Sequence, residues 1–299
     1  MNIVITGANG FLGKIIHNHL INLGHNVHPL SRDNINLLCE GEMEDYFLNN
    51  DIDIVFHTAI TGGRRTKKDT EKDFYNNIKM FEILDSLSTD VKLLFNFASG
   101  AEYDRSQEIF YLDEDDLGNK IPFDFYGMSK YIISKQALSS KNKWVNLRIF
   151  NCFGPSEKED RMIKSAILNK LRGEKITVHQ NKYMDFFYDK DLLRVIDFYL
   201  DNMESLQDLP RDVNLSYGRH NPCPTLYSIA EYIDTFSEPK VGIEVNQIGY
   251  SKSYCGNDST LRGLNLDLNG IKKSIRLMYN DLNKTNNDVK SYSEEQDVK

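Results

Sequence analysis

The chain has 299 residues, 40% of them hydrophobic and 27% charged, with a formal net charge of −8. That length holds one large domain or two of moderate size, and the acidic balance argues against a general nucleic-acid or anionic-membrane binder while leaving room for a local basic pocket. No apolar run approaches the roughly 20 residues of a membrane span, and the chain starts on strand-like Asn2-Ile3-Val4-Ile5 without a basic leader. The four cysteines, Cys39, Cys152, Cys223 and Cys255, are scattered and make no Cys-x-x-Cys pair. They suit a reducing cytoplasm and offer no metal framework, so a cytoplasmic protein without a structural metal is expected.

Asn2 to Thr6 is a short apolar strand with no side left for water, as in a buried parallel sheet. Gly7, Gly10 and Gly13 follow directly, then the helical pattern Leu12, Ile15, Ile16, Leu20, Leu23, closed by Gly24. Strand, glycine turn and helix make the first half of a dinucleotide-binding unit. The glycines let the backbone turn tightly and approach a pyrophosphate seated on the helix N-terminus. A second strand, Asn26 to Leu30, ends in Ser31-Arg32. A hydroxyl and a guanidinium suit a ribose 2′-phosphate and favour NADP; Asp33 is the acid that would serve NAD if the strand ran longer.

Asn36-Leu37 is expected as a short third strand whose end lies near the adenine, Glu42 to Leu48 as a weak helix and Asp53 to His57 as a strand. That strand leads into Thr58-Ala59-Ile60-Thr61-Gly62-Gly63-Arg64-Arg65, at the carboxyl end where such sheets bind ligands. Arg64 or Arg65 would hold a phosphate there, or lie solvated in the loop. Asp69 to Leu87 is a long amphipathic helix carrying Asn77, a candidate polar contact to the sheet, and Lys92 to Ala98 is an apolar strand closed by Ser99. A serine at that point is a turn residue or a donor to a substrate carbonyl.

Asp104 to Pro122 reads as a polar loop, with Asp113-Glu114-Asp115-Asp116 as solvated surface. A helix then begins at Tyr126-Gly127-Met128-Ser129-Lys130 and runs to about Leu138, before a strand from Lys143 to Ile149. Tyr126 and Lys130, four apart, share one helix face. An ammonium beside a phenol favours the phenolate and makes the tyrosine a usable proton donor or acceptor. The repeating β-α units predict an α/β fold of Rossmann type, a doubly wound parallel sheet with helices on both faces.

Thr6-Gly7-x-x-Gly10-x-x-Gly13, Ser99, Tyr126-x-x-x-Lys130 and Arg148-Ile149-Phe150-Asn151-Cys152-Phe153-Gly154-Pro155 together resemble the extended short-chain dehydrogenase/reductases, the nucleotide-sugar epimerases, dehydratases and reductases. Met184 to Asp191 resembles that family's Arg-Asp-Phe segment, with Met184 where an arginine for the diphosphate often stands. The resemblance implies a smaller, discontinuous C-terminal substrate-binding lobe. Residues 1–155 and 183–217 would form the dinucleotide-binding domain, 156–182 and 218–284 the substrate lobe, and 285–299 a mobile tail. Catalysis would fall to Ser99, Tyr126 and Lys130. The cofactor would meet Gly7, Asn9, Gly10, Phe11, Leu12, Ser31, Arg32, Asn36, Leu37, Thr58, Ala59, Asn77, Tyr126, Lys130 and Phe150. A nucleoside-diphosphate sugar would meet Gly62, Arg64, Ser99, Gly100, Ala101, Asn151, Arg161 and Lys182, with Arg262 the alternative to Lys182 at the diphosphate.

Dehydratases of this family carry an Asp-Glu pair just after the serine, where this chain has Gly100 and Ala101. The resemblance therefore points to the nucleotide-sugar 4-ketoreductases: NADPH-dependent reduction of a 4-keto-6-deoxysugar in deoxysugar and surface-polysaccharide biosynthesis. The alternatives are an NAD-dependent epimerase of the same family and a non-catalytic dinucleotide-binding protein. A homodimer through a four-helix bundle, built from the 69–87 helix and the helix at Tyr126, is also implied.

Overall fold

The protein, seen in a computed structural model, is described over residues 1–63, 67–218 and 223–296, with 286–296 as backbone alone. In chain order the elements are β1 (Asn2–Thr6), α1 (Phe11–Asn22), β2 (Asn26–Leu30), α2 (Glu40–Leu48), β3 (Ile54–His57), α3 (Glu71–Leu87), β4 (Leu93–Ser99) and β5 (Ile109–Leu112). There follow α4 (Phe125–Ser139), β6 (Trp144–Ile149), β7 (Cys152–Phe153), α5 (Met162–Arg172), β8 (Ile176–Asn181), β9 (Phe187–Tyr188) and α6 (Asp189–Asp201). The chain ends with β10 (Asp212–Leu215), α7 (Leu226–Asp234), β11 (Ile243–Tyr250), β12 (Tyr254–Gly256), α8 (Ser259–Gly263) and α9 (Gly270–Gln296).

A six-stranded sheet in the order β10-β6-β4-β3-β1-β2 forms the centre, and every pairing in it is parallel. Alternate side chains of each strand enter different cores, which is why the inner strands β1, β3 and β4 are mostly apolar. Ile3, Ile5, Phe56, Phe95 and Phe97 pack on one face with Ile16 and Leu20 of α1 and Val195 and Ile196 of α6. Val4, Val55 and Leu94 pack on the other with Met43 of α2, Phe81 and Leu84 of α3, and Ile133 and Ala137 of α4. From β1 the chain runs outward to β2 and then crosses to β3 on the opposite side, so the strand order reverses at the carboxyl end of β1. Ligand clefts of open α/β sheets lie at that reversal.

Asn36-Leu37 is not a strand. The Asn36 side chain accepts from Leu38 N at 3.1 Å and its N–H donates to Glu42 at 2.9 Å, so local side-chain bonds win over a ladder and β2 is the sheet edge. The segment 104–122 is not loop alone: Ile109–Leu112 pairs in parallel with β12, far away in sequence. β8 pairs with β11 beneath α5 and α7. The cysteines are not all unpaired, as their scatter suggested, because Cys223 and Cys255 form a disulfide across 32 residues. The β5–β12 pairing and the turn into α7 bring them together, a long-range meeting that spacing does not reveal. α9 carries helical backbone through Gln296, past the point where the sequence loses periodicity, propagating from a first half anchored by buried Ile275, Met278 and Tyr279. Among the described residues no helix is long and apolar enough to cross a membrane.

Candidate active site

The glycine turn follows β1 without a spacer. Gly7 has φ +69° and its carbonyl accepts from Gly10 N at 2.9 Å. A Cβ on Gly7 would stand 2.7 Å from the Ala59 backbone, and one on Gly13 would stand 2.5 Å from Gly7 O. The backbone of β3's end thus lies directly on the turn, with Thr58 Oγ1 donating to Thr6 O at 2.6 Å and Ala59 N donating to Thr6 Oγ1 at 3.3 Å. Phe11 and Leu12 open α1, so the helix's free N–H groups face the same turn. This cradle, which any side chain would fill, fits a dinucleotide pyrophosphate. Gly7→Ala is expected to cost about 1–3 kcal/mol of backbone strain and to lose measurable dinucleotide binding, checked by thermal melting and a fluorescence titration with reduced dinucleotide.

At the end of β2, Asn9 Nδ2 donates to Asp33 at 2.8 Å, and Ser31 Oγ donates to the same carboxylate at 3.3 Å. Arg32 is exposed and has no hydrogen bond or ion pair among the described residues. Asn36 is exposed on the following turn and Leu37 is buried under it. Asn77 is buried and, instead of the sheet contact expected of it, ties the loop after β3 to α4. It accepts from Thr61 N at 2.8 Å and donates to Thr61 O at 3.0 Å and Ser129 Oγ at 3.2 Å. That loop covers Tyr126: Gly62 and Gly63 both have positive φ, and a Cβ on Gly63 would lie 2.6 Å from Tyr126 Cε2. Arg64 and Arg65 lie outside the described residues.

Ser99 ends β4, 7% exposed, and its N–H donates to Glu102 at 2.8 Å while its Oγ accepts from Ala101 N at 3.2 Å. Tyr126 stands in the first turn of α4, which is capped by Asp124 accepting from Gly127 N at 2.8 Å. Burial pushes the Tyr126 phenol up; the Ser99 hydroxyl and the Arg105 guanidinium pull it back, against Glu102 and Asp69. Lys130 is 5% exposed and donates to Phe97 O at 2.7 Å, its ammonium pushed down to about 8 by burial against the support of Glu102. The lysine is turned onto the β4 backbone, and Arg105 is a cation that pulls the phenol down.

Beneath Ser99, Arg148 is fully buried and donates to Glu102 at 3.0 Å, to Asp212 at 2.9 Å and to Asn214 at 3.1 Å. Burial opposes its charge, yet Glu102, Tyr103 and Asp212 hold its pKa above the ordinary value. Burial likewise raises Glu102, with Arg148 pulling it down. Phe150 fits beside this group because positions 100 and 256 lack side chains; a Cβ on Gly100 would be 2.4 Å from its ring and one on Gly256 2.3 Å. Ala101 is fully buried in the same turn. Tyr254 of β12 stacks edge-on to Phe150 at 5.4 Å, and its phenol interacts with Ser99 and Tyr126.

The remaining expected substrate residues lie in the segments after β6. Asn151 Nδ2 donates to Asp185 O at 2.9 Å, tying β7 to β9. Arg161 caps α5 and lies 3.7 Å from Glu157. Lys182 accepts at its carbonyl from Leu226 N at 3.0 Å. Arg262 is paired with Asp258 at 3.1 Å. Sequence reasoning missed Arg105, Glu102 and Tyr254. Arg105 sits in a polar loop and Tyr254 in a stretch without periodicity, and only the β5–β12 pairing brings the latter to Ser99. Asp124 was readable as a helix cap two residues before Tyr126.

Comparison with known proteins agrees with this geometry. Residues 3–216 match the NAD dependent epimerase/dehydratase family. The chain is 28% identical over 239 residues to an ADP-L-glycero-D-manno-heptose-6-epimerase of Brachyspira hyodysenteriae, covering 67% of this chain and 72% of that protein. It is 23% identical over 241 residues to CDP-abequose synthase of Salmonella typhimurium, covering 72% and 74%. The fold is shared with the GDP-mannoheptose C4 reductase of Campylobacter jejuni solved with NADP bound, at a TM-score of 0.77 and 15% identity over 93% of this chain and 97% of that one. The chain belongs to the NAD dependent epimerase/dehydratase family and is an NAD(P)-dependent enzyme of the extended short-chain dehydrogenase/reductase type.

Proposed function

We propose that the enzyme reduces the C4 ketone of a nucleoside-diphosphate 4-keto-6-deoxysugar with NADPH. The observation that carries this reading is the turn after β4. Ser99 and Tyr126 converge there with no uncommitted acid beside them among the described residues: positions 100 and 101 are Gly and Ala, Glu102 is committed to Arg148 and to Ser99 N, and Asp69 accepts from Gly63 N. A dehydratase needs an acid and a base at that point; a reductase needs a single proton donor and a group that fixes the carbonyl. The dinucleotide, when bound, supplies hydride. Gly7, Gly10 and the start of α1 would hold its pyrophosphate, and Phe150 would contact its nicotinamide side. Ser99 Oγ donates to the carbonyl oxygen, and Tyr126 Oη gives that oxygen its proton as charge develops. Lys130 would hold the nicotinamide ribose on releasing Phe97 O.

NADPH is preferred because Arg32 is exposed and uncommitted at the β2 end, while Asp33 is engaged by Asn9 and Ser31. Arg32→Ala is expected to weaken NADPH binding by about tenfold or more, the scale of a charge-assisted hydrogen bond, and to leave NADH unchanged, read by fluorescence titration. The Asn9 and Ser31 bonds both fall on one oxygen of Asp33, and its other oxygen, as an acceptor for a ribose hydroxyl, is what favours the second reading, an NAD-dependent nucleotide-sugar epimerase. We place the nucleotide of the substrate on a lobe formed by residues 156–182 and 218–284, and a homodimer contact on the exposed faces of α3 and α4, where Glu82, Tyr131 and Lys135 line a groove. The direct test is NADPH oxidation against GDP-, CDP-, dTDP- and UDP-4-keto-6-deoxysugars. Failure of all four, alongside interconversion of two sugar epimers by an NAD-loaded enzyme, overturns the reductase reading.

A further inference from the structure

Lys130 is directed at the backbone of β4, yet the Tyr126 phenol has a cation of its own. Arg105 stands in the turn after β4, just past Asp104, whose φ is +67° and whose carboxylate accepts from Ser106 N at 3.0 Å and Ser106 Oγ at 2.7 Å. The turn is thereby set. Arg105 Nη2 donates to Asp124 at 2.7 Å, and its Cζ lies 5.6 Å from the centroid of the Tyr126 ring. Asp124 is itself held in place by capping α4, so anchor and target belong to one helix end.

We propose that Arg105, anchored by Asp124, is a positioning residue that stabilises the Tyr126 phenolate left after proton transfer. This rests on Tyr126 being the proton donor of the reaction proposed above. In that step the O–H bond of Tyr126 breaks and an O–H bond forms on the sugar oxygen; the electron pair stays on Tyr126, beside Arg105, until solvent returns a proton. A guanidinium over a phenolate face is favoured by both charge attraction and the ring's quadrupole. The other groups facing the phenol are the Ser99 hydroxyl from β4, Glu102 from the turn after it, Tyr254 from β12 and Asp69 from the loop before α3. On α4 itself stand Asp124 and Lys130. Glu102 and Asp69 oppose the phenolate, which leaves Arg105 to offset them. The competing view makes Arg105–Asp124 a plain surface ion pair at a helix start; half-exposed pairs of that kind contribute little to stability.

A substrate-free titration separates the two. Full-length enzyme carrying fluorotyrosine, whose phenol is more acidic than that of tyrosine, is followed by fluorine NMR across pH, with the Tyr126 signal assigned by its loss in Tyr126→Phe. The titration midpoint is expected to rise by about half to one pH unit in Arg105→Met, to rise similarly in Arg105→Gln, and to return most of the way in Arg105→Lys. Unchanged midpoints in the two folded neutral variants overturn the proposal. Because no sugar is present, that result is independent of whether the sugar-reductase reading holds. Once a turnover assay exists, the alkaline limb of its pH profile moves in the same direction and by the same amount.

Discussion

Tyr126→Phe is expected to lower turnover by about a hundredfold or more, the usual worth of a positioned proton donor, with dinucleotide affinity close to wild type. The substitution removes a single oxygen. The ring remains, so the cover from Gly63 and the approach of Arg105 persist. What is lost is the hydroxyl that meets Ser99 at the place where alkoxide charge develops. Ser99 alone is left to stabilise that charge, and a residual rate survives on binding and orientation. Steady-state kinetics beside a dinucleotide titration checks the split. Full turnover in the phenylalanine variant would remove Tyr126 from the mechanism, and lost dinucleotide binding would mean the residue acts through the cofactor site.

The second large effect is on stability. Arg148→Leu is expected to destabilise the fold by about 3–5 kcal/mol, because it leaves carboxylates buried without their cation. Glu102 is fully buried and the Asp212 side chain 14% exposed, and Arg148 bridges them from near the carboxyl end of β6. A loss of that size corresponds to a fall of roughly 10 °C in melting temperature for a chain of this size. With the guanidinium gone, Glu102 is pushed further up, towards its neutral form. Glu102 also accepts from Ser99 N, so the serine's turn loosens and activity falls with stability. The double variant Arg148→Leu/Glu102→Leu recovers part of the loss, since it removes one orphaned charge along with its partner. Thermal and urea unfolding of the single and double variants measure this.

What could be read from sequence follows a physical pattern. Gly7, Gly10 and Gly13 announce a turn because its geometry is local and leaves no room for a Cβ. The sheet was readable because Ile3-Val4-Ile5 and Leu93-Leu94-Phe95 are buried on both faces, which forces an unbroken apolar run. Tyr126 and Lys130 were readable as a helical pair from their spacing of four. Their electrostatics were not, since the direction of the Lys130 chain depends on Phe97 O, a group supplied by another element. Asn36-Leu37 misled because an apolar-polar dipeptide carries too little pattern to separate a strand from a turn held by asparagine. The pairing of Ile109–Leu112 with Tyr254–Gly256, the disulfide between Cys223 and Cys255, and the place of Tyr254 beside Ser99 are a single long-range event. No local propensity encodes it, so the three were missed together.

Net reduction is tested most directly with NADPH deuterated at the nicotinamide C4. Wild-type enzyme is incubated with the 4-keto-6-deoxysugar nucleotide that supports the fastest oxidation, and the product sugar is examined by mass spectrometry and NMR. The expected result is one NADPH consumed per sugar, with deuterium at C4 of the product. Conversion of one sugar epimer to another without NADPH consumption and without deuterium in the sugar would contradict the reductase assignment and establish the epimerase in its place.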